Sequence, residues 1–397
     1  MSHRLINRSP DLKRLRDEGY DLEIRSGFLL VKGIPYVNSR KEVRRGTLVT
    51  TLALAGDVTT RPDTHVVYFA GEYPCRADGT EIEQIRHSSG EQVHAPGVVT
   101  QHSFSAKPKP TDSYPDYYAK MSTYAALLSG PAQAIDSTAK PQMFPAIPPG
   151  EDTGDTPFRY IDTASSRAGI DLITGMLAQQ GKVVIVGLGG TGSYVLDLVA
   201  KTPVGTIHLY DGDTFLQHNA FRSPGAPSLE ELQQRLSKVT WFKNMYSKMH
   251  AGIVDHAVYL DAETVEELRD SRFVFLCIDS GESKKLIVEK LEEFNVPFTD
   301  VGMGVQLTDS ALGGIVRVTT STPAKRDHFR TRVSLTGGEA ENEYAQNIQI
   351  ADLNALNAAL AVIKWKKLVG FYRDLKSEHH SQYSIDSNLL VNDDRPQ

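Results

Sequence analysis

The chain has 397 residues, 40% of them hydrophobic and 23% charged, and a formal net charge of −6. That composition is of an ordinary globular protein, long enough for two domains and a sizeable core. The acidic balance argues against a nucleic-acid partner, and no apolar run of about 18 residues offers a membrane span. The N-terminus MSHRLINRSP lacks the apolar stretch of a signal peptide, so the cytoplasm is the expected compartment.

In chain order, Ser9-Pro10-Asp11 reads as an N-cap and a first-turn proline opening a short helix through Glu18. Leu22 to Val31, broken at Ser26-Gly27, reads as a hairpin, and Thr47 to Leu54 and His65 to Ala70 read as strands. This first domain, residues 1–150, is expected to be α+β and carries no nucleotide-binding signature. From Ala106 to Thr156 short helical patches alternate with proline-rich pieces, and KPQMFPAIPPGEDTGDTP reads as a linker. The second domain is expected over 151–397.

The second domain is organised around GKVVIVGLGGTGSYVLDLVA, residues 181–200. Val183 to Val186 read as a strand buried on both faces, and Gly187, Gly189, Gly190 and Gly192 then spell G-x-G-x-x-G before a helix running from Ser193 to Lys201. Such a turn lets the backbone approach a phosphate at a helix N-terminus. A second strand, Thr206 to Tyr210, ends at Asp211, where a carboxylate can take the hydroxyls of a ribose. Further on, SLEELQQRLSKVTWFKNMYSKMH reads as one helix, Ala257 to Leu260 as a strand, Asp261 as a helix start and Phe273 to Ile278 as a buried strand ending at Asp279. Lys284 to Phe294 read as a helix, with strands near Phe298 to Val301 and Ile315 to Val318. The polar segment 320–348 is expected to be a loop or crossover. A last helix from Ile350 to Asp374 should pack through Leu353, Leu356, Leu360 and Ile363. The alternation implies an α/β, Rossmann-like, doubly wound, mainly parallel sheet.

A dehydrogenase needs one acidic residue after the second strand, whereas this chain continues Asp211-x-Asp213, then Asn219 and Arg222. The pattern D-x-D followed by N-x-x-R resembles the ThiF/MoeB/HesA superfamily, the adenylyltransferases that include ubiquitin-activating enzymes. The resemblance covers about residues 155–319. It implies an ATP- and magnesium-dependent enzyme that activates the C-terminal glycine carboxylate of a ubiquitin-like or sulfur-carrier protein and releases pyrophosphate. Carried over by motif, the four glycines line the phosphate turn, Asp211 holds the ribose, Asp213 braces the loop, and Asn219 and Arg222 contact the polyphosphate. Lys238 takes the place of the family's following lysine, with Arg235 as rival. Asp279 takes the place of its magnesium-binding aspartate. Arg167, or else Arg159, matches the arginine that homodimeric members extend into the partner's ATP site.

The two cysteines, Cys75 and Cys277, cannot supply the paired C-x-x-C zinc site of many members. Cys277 reads as core and Cys75 as structural, so the acyl group is expected to pass to a separate partner, such as a conjugating-enzyme-like acceptor. His218 and the pair His379-His380 show no metal spacing. A NAD-dependent oxidoreductase would share the glycine turn and Asp211 but has no use for Asn219, Arg222 and Lys238 together. A silent scaffold that binds a ubiquitin-like protein would need none of these charges, and a tRNA-directed dehydratase of the same superfamily also activates a carboxylate but is disfavoured by the acidic balance.

Overall fold

The computed structural model describes residues 2–148, 156–279, 281–335 and 348–396. The chain divides into two compact units, one of Met1–Asp155 with Tyr160–Gly169, the other of Thr156–Arg159 with Ile170–Gln397.

The first unit is an antiparallel sheet of six strands backed by a helix. Its strands are β1 (Asp21–Arg25), β2 (Phe28–Val37), β3 (Val43–Thr51), β6 (Val66–Ala70), β7 (Arg86–Ala95) and β8 (Val98–Ser105), in the order β1-β2-β3-β6-β8-β7. A separate two-stranded ribbon joins β4 (Leu54–Ala55) to β5 (Val58–Thr59). The expected hairpin is the β1–β2 pair, turning at Ser26 and Gly27, both at positive φ. Alternate residues of the sheet, Leu29, Val31, Leu48, Phe69 and Phe104, meet Tyr117, Met121, Tyr124 and Leu128 of the helix Tyr117–Ile135. That 19-residue helix replaces the short patches expected there, because small residues and an internal Pro131 blur its apolar period.

The second unit contains an eight-stranded mixed sheet. Its strands are β9 (Lys182–Val186), β10 (Thr206–Tyr210), β11 (Ile253–His256), β12 (Phe273–Leu276), β13 (Phe298–Thr308), β14 (Ala311–Ser321), β15 (His380–Ser384) and β16 (Leu389–Asp393). The order is β11-β10-β9-β12-β13-β14-β15-β16, parallel from β11 to β13 and antiparallel beyond. The expected Rossmann-like sheet is therefore present. Val183 and Ile185 of β9 point into one apolar cluster and Val184 and Val186 into the other, which is why the strand reads as an unbroken apolar run. β9 lies between β10 and β12, so the chain reverses its winding there and opens a crevice at the strands' carboxyl ends.

Several expected elements are corrected. The strand placed at Ala257–Leu260 lies four residues earlier, because Ile253 to His256 pair with Ile207 to Tyr210. The single helix over 228–250 is two, Leu229–Gln233 and Lys238–Tyr246, separated by Arg235 at φ +49°. The last helix spans Ala351–Leu368 and stops before Gly370 at φ +81°. It packs through Asn354, Asn357, Ala358, Ala361, Val362 and Trp365; of the expected face Leu360 is partly buried against the same core, while Ile363 is 42% exposed. Small residues let it approach the helix Gly190–Val199, and that close contact selects the face. The strands expected near Phe298 to Val301 and Ile315 to Val318 are present, as parts of one longer β13–β14 hairpin. Residues 149–155 of the expected linker and 336–347 of the expected crossover lie outside the described residues.

Candidate active site

The carboxyl ends of β9, β10 and β12 frame a cavity of about 370 Å³, and its wall brings together most of the motif residues: Gly187, Gly189, Gly190, Asp211, Asp213, Arg222, Lys238 and Asp279. The glycine turn is built by close approach. Gly187 has φ +84°, and a Cβ on Gly192 would stand 1.9 Å from the Gly187 carbonyl oxygen. A Cβ on Gly189 would meet nothing within 4 Å, so that position faces open space.

Asp211 fastens the turn. Its Oδ2 accepts the Leu188 N–H at 2.7 Å and its Oδ1 the Asp213 N–H at 2.9 Å. Lys238, buried at the start of its helix, places Nζ 2.5 Å from Asp213 Oδ2 and 3.5 Å from Asp211 Oδ2. It reaches this point because Ser237 caps the helix, accepting the Thr240 N–H, while the Lys238 N–H donates to the Asp213 carbonyl at 2.9 Å. The rival Arg235 is exposed on the preceding turn and does not border the cavity.

Asn219 is 4% exposed, and its Oδ1 accepts the Leu216 N–H at 2.8 Å. Its Nδ2 and the Arg222 Nε are buried donors without an acceptor. A buried unpaired donor costs about 1–3 kcal/mol, so that of Arg222, on the cavity wall, suits an anionic ligand, whereas Asn219 and Gly192 do not border the cavity. Although Asp279 is an exposed residue, partial desolvation at the cavity wall pushes its carboxyl above the usual range, opposed by Lys284 and Arg222. In that exposed place on the wall a carboxylate suits a hard cation that shares phosphate oxygens. Among the described residues no group of three or more His, Cys, Asp or Glu side chains could hold a metal by itself. Beyond Asp279 a smaller cavity of about 240 Å³ is lined by Gly302, Lys284 and Arg317. Both cations pair with the fully buried Asp300, at 2.6 and 2.7 Å.

Two residues of the site carried no signal in the sequence. Asn354 accepts the Thr191 hydroxyl at 3.0 Å and donates to the Arg222 carbonyl at 3.3 Å, tying the last helix to the turn and the arginine loop. Tyr259 stands on the stretch misread as a strand and donates its hydroxyl to Asp213. Of the remaining candidates, Cys277 borders the cavity, half-buried, and burial pushes its thiol up. Cys75 is 1% exposed between Val37 and Glu81 in the first unit, with its thiol likewise raised by burial. Arg167 is exposed in the first unit, on the helix Thr163–Ala168, with its guanidinium 5.7 Å from the Phe144 ring. Arg159 is exposed in the second.

The parallel sheet with its glycine turn and convergent polar cavity is of nucleotide-binding type. Residues 170–381 match the ThiF family, and the chain belongs to it. Residues 10–163 match a domain of unknown function, DUF6791. Among solved structures, E. coli MccB with MccA-N7isoASN is 19% identical over 59% of this chain and 70% of its own, with a TM-score of 0.47. E. coli MccB with ATP is 17% identical over 59% and 70%, at 0.46. PaaA is 17% identical over 57% and 76%, at 0.45. No curated protein matches the chain. No helix among the described residues is long and apolar enough to cross a membrane.

Proposed function

We propose that the second unit binds ATP with magnesium and transfers the adenylyl group to a carboxylate, releasing pyrophosphate. The observation that carries this reading is the meeting of the glycine turn, Arg222, Lys238 and Asp279 in one cavity. Adenylation requires a held polyphosphate, neutralised charge and a carboxylate aimed at the α-phosphate, so positioning does most of the work. In this reading Gly187, Gly189, Gly190 and Gly192 shape the phosphate cradle, and Arg222 supplies a donor that is now unpaired. Asp211 borders the ribose, Asp213 braces the loop, and Lys238 meets the phosphates. Asp279 holds magnesium, which would neutralise phosphate charge. The cavity beyond Asp279, with Lys284 and Arg317, has the charge to admit the substrate carboxylate.

The acyl donor of this reading is the C-terminal glycine of a ubiquitin-like or sulfur-carrier protein, and the acceptor is a thiol or amine on a separate partner. Cys75 is buried, and the thiol of Cys277, half-buried on the cavity wall, is likewise pushed up, so neither offers the exposed thiolate that a thioester needs. Arg167 serves the ATP site of a second copy in a homodimer. A NAD-dependent oxidoreductase and a silent scaffold fit less well, because neither employs this set of cations with Asp279, and the acidic balance of the chain counts against a tRNA-directed dehydratase.

Calorimetric titration is expected to show ATP binding in magnesium and no tight binding of NAD. The same protein should have twice the chain mass at micromolar concentration. It should exchange pyrophosphate into ATP with a glycine-terminated carrier, and keep that exchange when Cys75→Ala and Cys277→Ser are combined. Tight NAD binding without ATP binding would sink the reading.

A further inference from the structure

Tyr259 lies at the mouth of the cavity with 67% of its surface exposed, yet it is held at both ends. Its ring rests on Gly212, where a Cβ would come within 2.6 Å of Cε2. Its hydroxyl donates to Oδ1 of Asp213, and Oδ2 of that carboxylate takes Lys238 Nζ at 2.5 Å. Lys238 is thus committed to a carboxylate at the moment the site is open. An incoming polyphosphate has to draw it away from Asp213, and that carboxylate then needs another donor.

We infer that Tyr259 is a positioning residue for the nucleotide: it keeps Asp213 hydrogen-bonded so that Lys238 can transfer to the phosphates. The inference rests on the nucleotide reading of the site and goes beyond it by naming what releases the lysine. A phenol hydroxyl on a carboxylate is a charge-assisted bond, short and stronger than a neutral one. It satisfies Asp213 without adding a positive charge that would compete for phosphate. Gly212 belongs to the device, since any side chain there would lift the ring off its seat.

The test is calorimetric titration of the full chain in magnesium with ATP and, separately, with adenosine. Tyr259→Phe keeps the ring and removes the hydroxyl, and it should weaken ATP binding about fivefold while leaving adenosine binding unchanged. In an Asp213→Asn background the same substitution should have no further effect on ATP, because the carboxylate that Tyr259 and Lys238 share is gone while Asp211, the other partner of Lys238, is untouched. A ring that merely packs would move adenosine and ATP alike and would act in both backgrounds. Equal ATP affinity in wild type and Tyr259→Phe, or a loss that persists undiminished in Asp213→Asn, overturns the inference while the nucleotide reading stands. Absence of ATP binding in the wild type overturns both.

Discussion

Asn354 illustrates how a single side chain can hold a nucleotide turn from outside the motif. A Cβ on Gly190 would fall 2.1 Å from Asn354 Nδ2, so the glycine is required by the asparagine as much as by any ligand. Replacing Asn354 with Ala removes the bonds to Thr191 and to the Arg222 carbonyl, leaving a gap over Gly190. We expect Asn354→Ala to cost about 1–3 kcal/mol in denaturant unfolding of the second unit and to weaken ATP binding through the loosened turn. Undiminished stability would show that the helix docks without this contact. The lesson extends to Asp211, which fastens the turn through Leu188 in addition to facing the cavity.

At the level of elements, the break at Arg235 decides which cation meets the site. Leu229–Gln233 ends, the backbone turns through positive φ at Arg235, and Ser237 starts a new helix whose first residue is Lys238. A continuous helix could not deliver Lys238 to Asp213 in this way. Lys238→Ala should therefore lower ATP affinity about tenfold or more, whereas Arg235→Gly, at a conformation glycine prefers, should leave ATP affinity unchanged and the fold at least as stable. Calorimetry of the two variants decides between the cations, and the reverse ranking would assign the phosphate contact to Arg235. Ser237→Ala, removing the cap, should cost about 1 kcal/mol.

Across the whole second unit, stability should fall in acid because two histidines are kept neutral by the fold. His208 is pushed down to about 4, chiefly by burial, with Lys182 on β9 and His256 on β11 adding to the effect and Glu267 opposing it. His380 is likewise pushed down to about 4 by burial, with Arg332 and Arg317 facing it and Asp393 and Asp394 opposing. An unfolded histidine takes a proton near pH ~6.5, so between there and about 4 the unfolded chain binds protons that the fold refuses. The stabilisation is complete above about 6.5 and is lost as pH falls toward 4. Denaturant unfolding at pH ~7.5 and ~5 should differ by about 4 kcal/mol, roughly 2 from each histidine, and His208→Gln should about halve that difference. An unchanged difference in the variant would remove His208 from the account.

The sequence by itself determined the parts of this protein that are local in the chain. Val183 to Val186, the glycine turn and the pattern of Asp211, Asp213, Asn219 and Arg222 lie within about one strand–helix–strand unit, and such a unit shows its period and turn chemistry directly. The Rossmann-like sheet was legible for the same reason, since each buried strand is a short apolar run. Only tertiary structure could decide which residues meet across long separations. The cavity draws Tyr259 from a loop that looks like a strand, because its β-branched and aromatic residues face a site and not a ladder. It draws Asn354 from a helix whose packing face is set by the close approach of Gly190, which small residues permit and apolar periodicity does not reveal. The choice of Lys238 over Arg235 turned on one backbone dihedral, and a left-handed arginine leaves no mark in composition or spacing.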